Sequence, residues 1–150
     1  ANELDLNRHY AESTQVADQT LADVLLTPTR IYARPIVRLL QRYKVKRIVS
    51  GMAHITGGGL ADNICRALPD DVDAVIHRDA WTPPPIFRFL QERGGIDPDE
   101  MDHVFNLGIG YVLIVRPAFA DSVARQLAQM GERVHLIGTV KKGSGQVTLA

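Results

Sequence analysis

The sequence contains a single cysteine, Cys65, in 150 residues. No internal disulfide can form, and the chain suits a reducing cytosol, so a cytoplasmic location is expected. Net charge is also missing: seventeen Lys and Arg offset seventeen Asp and Glu. The balance holds on both sides of residue 75, nine against nine and then eight against eight. A nucleic-acid binder draws much of its affinity from a basic excess. A polybasic membrane binder needs one too. Neither partner, nucleic acid or membrane, is expected. The longest apolar run, Gly108 to Val115, is far shorter than the roughly 20 residues that span a bilayer. No basic-then-apolar signal segment opens the chain. There are no internal repeats and no low-complexity tracts.

Familiar catalytic signatures are lacking as well. The five histidines are scattered, without an H-x-H or H-E-x-x-H pair, so no metal site is expected. There is no G-x-S-x-G elbow. Neither the Gly-Lys-Ser/Thr of a nucleotide loop nor the G-x-G-x-x-G dinucleotide pattern occurs.

What is present is enough for one domain. The hydrophobic fraction is 45% and the charged fraction 23%, ordinary values for a soluble protein. A chain this long buries roughly 70% of its unfolded surface. Residues 1–20 are polar and read as a lead-in or linker, and residues 21–150 as the folded unit. A helix is expected from about Pro35 to Tyr43, with Ile36, Leu40 and Tyr43 as its buried stripe. Ile48 and Val49 centre a buried strand, and Leu60 to Leu68 form a short helix. Cys65, inside that helix, reads as a buried, inert thiol rather than a nucleophile. Val72 to Ile76 alternates as a strand, and Ile86 to Gln91 form a helix closed by Gly94 and Gly95. Asp97-Pro98-Asp99-Glu100 is a helix start, with Asp97 as cap and Glu100 as capping-box partner. Leu107 to Val115 reads as a buried strand. Phe119, Val123, Leu127 and Met130 mark a long helix ending at Gly131. Val134 to Val140 and Val147 to Leu149 flank Lys141-Lys142-Gly143-Ser144-Gly145 and read as a terminal hairpin. That turn also resembles an anion nest. Interleaved strands and helices imply an α/β or α+β layered domain, a mixed β-sheet with packed helices.

The most informative stretch runs from Gly51 to Leu60 and places Gly57, Gly58 and Gly59 between a strand and a helix. Side-chain-free residues expose consecutive backbone N–H groups and let an anion such as phosphate approach closely. Thr56 can add a hydroxyl, and His54 can donate or shuttle a proton. A tight strand–helix connection with nothing bound explains the glycines equally well. Upstream, Arg30, Arg34, Arg38 and Arg42 recur every four residues, followed by Lys44, Lys46 and Arg47, with no acid among them. A solvated helix face accounts for most of this pattern. Arg30 stands in the Pro-Thr-Arg turn outside the helix and is the favoured anion ligand of the set. Trp81, beside Pro83, Pro84 and Pro85, stacks on a ring or simply packs a loop.

Taken in order, several segments resemble the aminoimidazole ribonucleotide synthetase (phosphoribosylformylglycinamidine cyclo-ligase) family, in its C-terminal domain. They are Leu25 to Tyr32 (LLTPTRIY), Ala53 to Asn63 (AHITGGGLADN), Arg66 to Pro69, Trp81 with Pro85-Ile86-Phe87, and Leu90-Gln91. Glu100-Met101, Phe105 to Gly110 (FNLGIG), Ile137 to Val140 and Gly145 follow. The ordered set covers residues 21 to 149. Related enzymes of the same architecture make selenophosphate, thiamine diphosphate or formylglycinamidine ribonucleotide, and the PTRIY and FN-x-GIG segments look most like the cyclo-ligase.

The resemblance implies an ATP-dependent ring closure in purine biosynthesis. ATP activates the formyl amide oxygen of formylglycinamidine ribonucleotide, a substrate nitrogen attacks that carbon, and phosphate leaves. It also implies a site at His54, Thr56, Gly57, Gly58, Gly59 and Asn63, in which His54 assists proton movement or only holds the loop, Thr56 to Gly59 cradle phosphate, and Asn63 caps or buttresses the turn. Beside them, Thr29 and Arg30 are expected to orient an anion. ATP and Mg²⁺ are implied as cofactors, held mainly by an N-terminal domain. The Asp-Gly-x-Gly-Thr-Lys and His-Ser-Asn-Gly segments of that half do not occur here. The expectation is therefore a separated C-terminal half, inactive alone, whose partners are the ribonucleotide, the ATP-binding domain and, as full-length enzyme, a second subunit in a homodimer. Asp102-His103-Val104 departs from the family pattern. A non-catalytic docking module and a sibling enzyme are the alternatives, and replacing Gly58 with a bulky residue is the test that separates ligand site from docking.

Overall fold

The computed structural model describes residues 3–16 and 18–150. Residues 1, 2 and 17 of the expected lead-in lie outside the described residues. Six helices and five strands follow in the order α1 (Leu21–Leu25), α2 (Ala33–Arg42), β1 (Val49–His54), α3 (Gly59–Cys65), β2 (Val72–Ile76), α4 (Pro85–Gly94), α5 (Pro98–Val104), β3 (Tyr111–Val115), α6 (Ala120–Gln129), β4 (Gly138–Lys142) and β5 (Val147–Leu149). Among the described residues no helix is long and apolar enough to cross a membrane.

The strands make two sheets, so the class is layered α and β as expected, with the mixed sheet as one of the two. β1 and β3 pair antiparallel, with a bulge between Val49 and Gly51. β2 lies between β4, antiparallel to it, and β5, parallel to it. This corrects the terminal hairpin, because β4 and β5 never pair with each other. The reason is electrostatic and local to β2. One Asp73 carboxylate oxygen accepts from the backbone N–H of Ser144 at 2.7 Å and of Gln146 at 2.9 Å. Gly143 N–H donates to the Asp71 carbonyl. The Lys141–Gly145 turn is thus an anion nest whose anion is internal, and it carries the chain across the end of β2 instead of folding it back.

Those two N–H groups, Ser144 first, hold the Asp73 carboxyl below its usual range. A depressed folded pKa gives stability that is present above the unfolded value and is lost as pH falls through the folded one. Asp73→Asn should therefore flatten the acid limb of thermal stability below about pH 4. Melting curves at stepped pH test this, and an unchanged acid limb would refute it.

Two sub-cores follow the two sheets. Ala53, Ile55, Leu60, Ile64, Ala74, Ile76, Trp81, Ile109 and Ile137 pack together around the β2 sheet and α3. Leu39, Ile48, Val123 and Leu127 join α2 and α6 to the β1–β3 ribbon. Each Val, Leu or Ile among them contributes roughly 1.5–3 kcal/mol by leaving water. On α2 the buried positions are Pro35, Ile36 and Leu39. Leu40, placed in the expected stripe, is 38% exposed. The helix starts two residues before Pro35, which still falls in the first turn, where no intrahelical acceptor awaits an N–H.

Helix ends follow sequence more closely. Asp97 accepts from Asp99 N–H at 2.9 Å, but Glu100 makes no reciprocal bond among the described residues. After α6, Gly131 takes φ 87°. Gly131 N–H reaches the Ala128 carbonyl and Glu132 N–H the Leu127 carbonyl, the paired closure expected of a left-handed cap. β3 begins only at Tyr111, since Leu107 and Gly108 both have positive φ and form a turn in which Asn106 accepts from Gly108 N–H. Trp81 packs a loop: it is buried and donates to the Leu107 carbonyl at 2.9 Å. Cys65 is exposed, not buried, and its thiol donates to the Gly145 carbonyl.

The described part of the lead-in has no helix or strand, yet it is packed. Tyr10 is buried with Leu21 and Phe89, and Leu4, Ile86 and Leu90 lie against them. Thr20 and Asp23 form a capping box at α1.

Charge is divided unevenly along the chain. Residues 30–47 and 116–135, which include α2 and α6, hold ten of the seventeen basic residues and two of the seventeen acids. The zero sum hides a basic excess in these segments and an acidic excess in the remainder.

Candidate functional site

Most of the sequence-derived site residues lie in one continuous turn from β1 to α3. His54 ends β1, Ile55 N–H donates to the Gly110 carbonyl at 3.0 Å, and the chain then turns through Thr56 to Gly59. Asn63, on the first turns of α3, holds this turn from beneath. It is 7% exposed. Its amide donates to the carbonyls of Gly59 at 2.7 Å, Gly57 at 3.2 Å and Thr56 at 3.4 Å. Thr56 Oγ1 donates back to Asn63 Oδ1 at 3.4 Å. With its carbonyls turned inward to Asn63, the turn leaves the N–H groups of Gly57 and Gly58 without an acceptor among the described residues.

The three glycines have different reasons for being glycine. Gly59 has φ 60°, and a methyl there would overlap the backbone carbonyl of Asp102 on α5. Gly58 has φ 95°, and its added Cβ would stand 2.9 Å from that of Asp62. Both are demanded by the fold. Gly57 is exposed, has no positive φ, and an added Cβ would meet nothing within 4 Å. The fold does not need a glycine there. The bulky Gly58 replacement proposed from the sequence would therefore strain the backbone itself, and the discriminating position is Gly57.

Charged groups frame the turn on its α5 side. Asp62 stands beside Gly58, with His103 Nδ1 3.9 Å from its carboxylate. Asp102 pairs with Arg78. Burial pushes the Asp102 carboxyl up, and the Arg78 guanidinium pulls against that shift.

Arg30 is not at the turn's disposal. Its Nε donates to Glu132 at 2.7 Å and its Nη2 to the Gly131 carbonyl at 2.8 Å. It closes the C-terminal end of α6, where a cation complements the helix dipole. The anion it was expected to meet is a carboxylate of the same chain. Thr29 is exposed and makes no side-chain hydrogen bond among the described residues. Arg30→Ala should leave phosphate affinity unchanged and lower the melting temperature only slightly, since exposed pairs contribute little. A phosphate titration of that variant checks this, and lost binding would return Arg30 to the site.

Sequence reasoning missed the neighbours of His54. Tyr32, the residue before α2, packs edge-on to the His54 ring with centroids 5.8 Å apart. Tyr111 is the cross-strand partner of His54, its ring stacked at 6.0 Å. Tyr32 and Tyr111 lie 5.5 Å apart. Burial pushes the Tyr32 hydroxyl pKa up, and the nearby Arg30 charge opposes that shift. The LLTPTRIY segment thus meets the site through its tyrosine, not its arginine. Only strand register could have revealed Tyr111.

Comparison with known proteins shows the family. The family model described as "AIR synthase related protein, C-terminal domain" matches residues 2–149. A phosphoribosylformylglycinamidine cyclo-ligase of Alkaliphilus metalliredigens is 45% identical over 131 residues, 87% of this chain and 37% of that protein. The cyclo-ligase of Cupriavidus taiwanensis is 49% identical over 124 residues, 83% of this chain and 34% of the relative. That of Burkholderia mallei is 50% identical over 123 residues, 82% and 34% respectively. The chain therefore spans little more than a third of the length of these curated relatives. With the ordered motifs, the layered fold and the β1–α3 turn in agreement, the chain belongs to the AIR synthase related protein family, as its C-terminal domain.

Proposed function

We propose that this chain is the ribonucleotide-binding part of a cytoplasmic, ATP-dependent cyclo-ligase that closes formylglycinamidine ribonucleotide to aminoimidazole ribonucleotide. The observation that carries this reading is Gly57, a glycine that the fold does not require, next to N–H groups with no internal acceptor. A phosphate oxygen supplies what those donors lack, and the missing Cβ lets it come close. The names of the relatives support the reaction class.

Within this reading the work of the chain is binding and orientation. Gly57 and Gly58 N–H groups hold phosphate, and Asn63 keeps them aimed outward. The His54 imidazole is exposed with no hydrogen-bond partner among the described residues, so its ring nitrogens are open to the ligand. ATP and Mg²⁺ belong to the reaction, but no three His, Cys, Asp or Glu side chains among the described residues are grouped to hold a metal. We assign their site to the remainder of a longer enzyme.

Gly57→Val tests the reading. We expect the variant to melt with the wild type and to bind ribose 5-phosphate at least about tenfold more weakly, the effect of losing roughly 1.4 kcal/mol of close contact. Equal affinity in calorimetric titration would rule out the cradle.

A further inference from the structure

We propose that Tyr32, His54 and Tyr111 form the seat for the planar, nitrogen-bearing end of the ligand, the amidine before ring closure and the imidazole after it. The inference rests on the phosphate reading above and adds the part of the site that chooses the ligand.

The three rings sit where such a seat is needed. His54 is three residues before Gly57, at most about 10 Å of extended chain, a span comparable with the ribose that separates a nucleotide's phosphate from its base. The cross-strand pairing of His54 with Tyr111 fixes the two rings on one face of the β1–β3 ribbon. Tyr32 closes the group from the entrance of α2. Its hydroxyl occupies the notch left by Gly110, where a Cβ would overlap the phenol. That glycine therefore secures the tyrosine against the ribbon.

The polar tips of the group are not consumed by the fold. Among the described residues, Tyr32 Oη and the His54 nitrogens have no hydrogen-bond partner, and the Tyr111 hydroxyl donates only a long bond, 3.8 Å, to Met52 Sδ. Met52 lies on the same ribbon face and is 43% exposed. An aromatic and thioether surface of this kind, half open to solvent, is more than the sub-core beneath it requires. The buried residues of that ribbon end, Ala53 and Ile55, belong to the opposite packing.

The chemistry matches the ligand class. An amidine is a planar cation at neutral pH, and tyrosine faces attract planar cations. A five-membered heterocycle stacks on the same faces without hydrogen-bond readout. One platform thus holds both the open and the closed form. The free ring nitrogens of His54 stand at its edge.

The test separates ring from phosphate. Purified wild-type chain is titrated with ribose 5-phosphate and with aminoimidazole ribonucleotide. The ribonucleotide should bind about tenfold more tightly, the ordinary gain of one stacked ring. Tyr111→Ala should abolish that margin and leave ribose 5-phosphate affinity unchanged, and Tyr111→Phe should keep the margin. A margin that survives Tyr111→Ala overturns the inference, as does equal weakening of both ligands, which marks a structural tyrosine. A wild-type measurement guards against a misfolded variant: the Tyr111 and His54 ring resonances should shift with the ribonucleotide and stay fixed with ribose 5-phosphate. Rings that do not respond overturn the inference even where phosphate binds. If ribose 5-phosphate fails to bind the wild type, the phosphate reading falls first and takes this one with it.

Discussion

Gly59→Ala should destabilise the protein by more than about 4 kcal/mol, a loss reserved for severe backbone or core damage. Two effects act together. The residue has φ 60°, a region in which alanine is strained by about 1–2 kcal/mol. The new methyl also overlaps the Asp102 carbonyl, a backbone atom that cannot rotate away. Relief requires α3 and α5 to separate, which uncovers Leu60, Ile64 and Met101, all now buried. Against a total stability of about 5–15 kcal/mol this is a large fraction. For a chain of this length the melting temperature should fall by about 10–15 °C. Gly57→Ala, two positions away, should melt with the wild type. Calorimetric melting of the pair tests the contrast, and a Gly59→Ala protein within a few degrees of wild type would show that α5 does not press on the turn.

Asn63→Asp should be nearly as damaging, and more so than Asn63→Ala. The amide donates to three carbonyl oxygens around the turn. Alanine removes the donor and leaves those acceptors short of partners, a loss of about 1–3 kcal/mol. A carboxylate does worse, because it turns a negative group toward the same oxygens in a buried position. An unpaired buried charge costs about 3–5 kcal/mol. The new carboxyl should have a raised pKa in the folded state. Its penalty then eases as pH falls through that value, so the variant should gain stability on mild acidification. Its phosphate affinity should be lost as well, since the added charge lies beneath the cradle. Melting at stepped pH and phosphate titration read the two effects separately. An Asn63→Asp protein as stable as Asn63→Ala at neutral pH would mean that the side chain faces solvent and that the buttress is misassigned.

The local parts of this design were legible in the sequence, and the distant parts were not. β2 runs from Val72 to Ile76 as its alternation indicates, and the Asp97 and Gly131 caps act within a few residues of themselves. The ordered motifs revealed the family because they keep their spacing along the chain. What escaped notice depends on partners far away in sequence. Arg30 reads as a free cation until Glu132, 102 positions later, meets it. The Lys141–Gly145 turn reads as a hairpin until Asp73, some seventy residues earlier, fills its nest. On α2 a shift of one position separates Leu40 from Leu39. A periodic stripe does not say which edge of it faces the core when the helix begins two residues early. The site shows the same limit: His54 and the glycines were visible as a run, but the rings around His54 come from β3 and the entrance of α2.

The division of charge has a consequence for handling the molecule. With a pI near 7.2, the protein has no net attraction to either kind of ion-exchange resin at neutral pH. The protein nevertheless carries a basic excess in its α2–α6 segments and an acidic excess in the remainder. Near neutrality and at low ionic strength it should be retained on both a cation and an anion exchanger, each resin holding the segments of opposite charge. Retention on both should vanish as salt shortens the screening length to about 8 Å, well below the dimensions of the domain. A protein that titration describes as neutral should thus present different segments to surfaces of opposite charge.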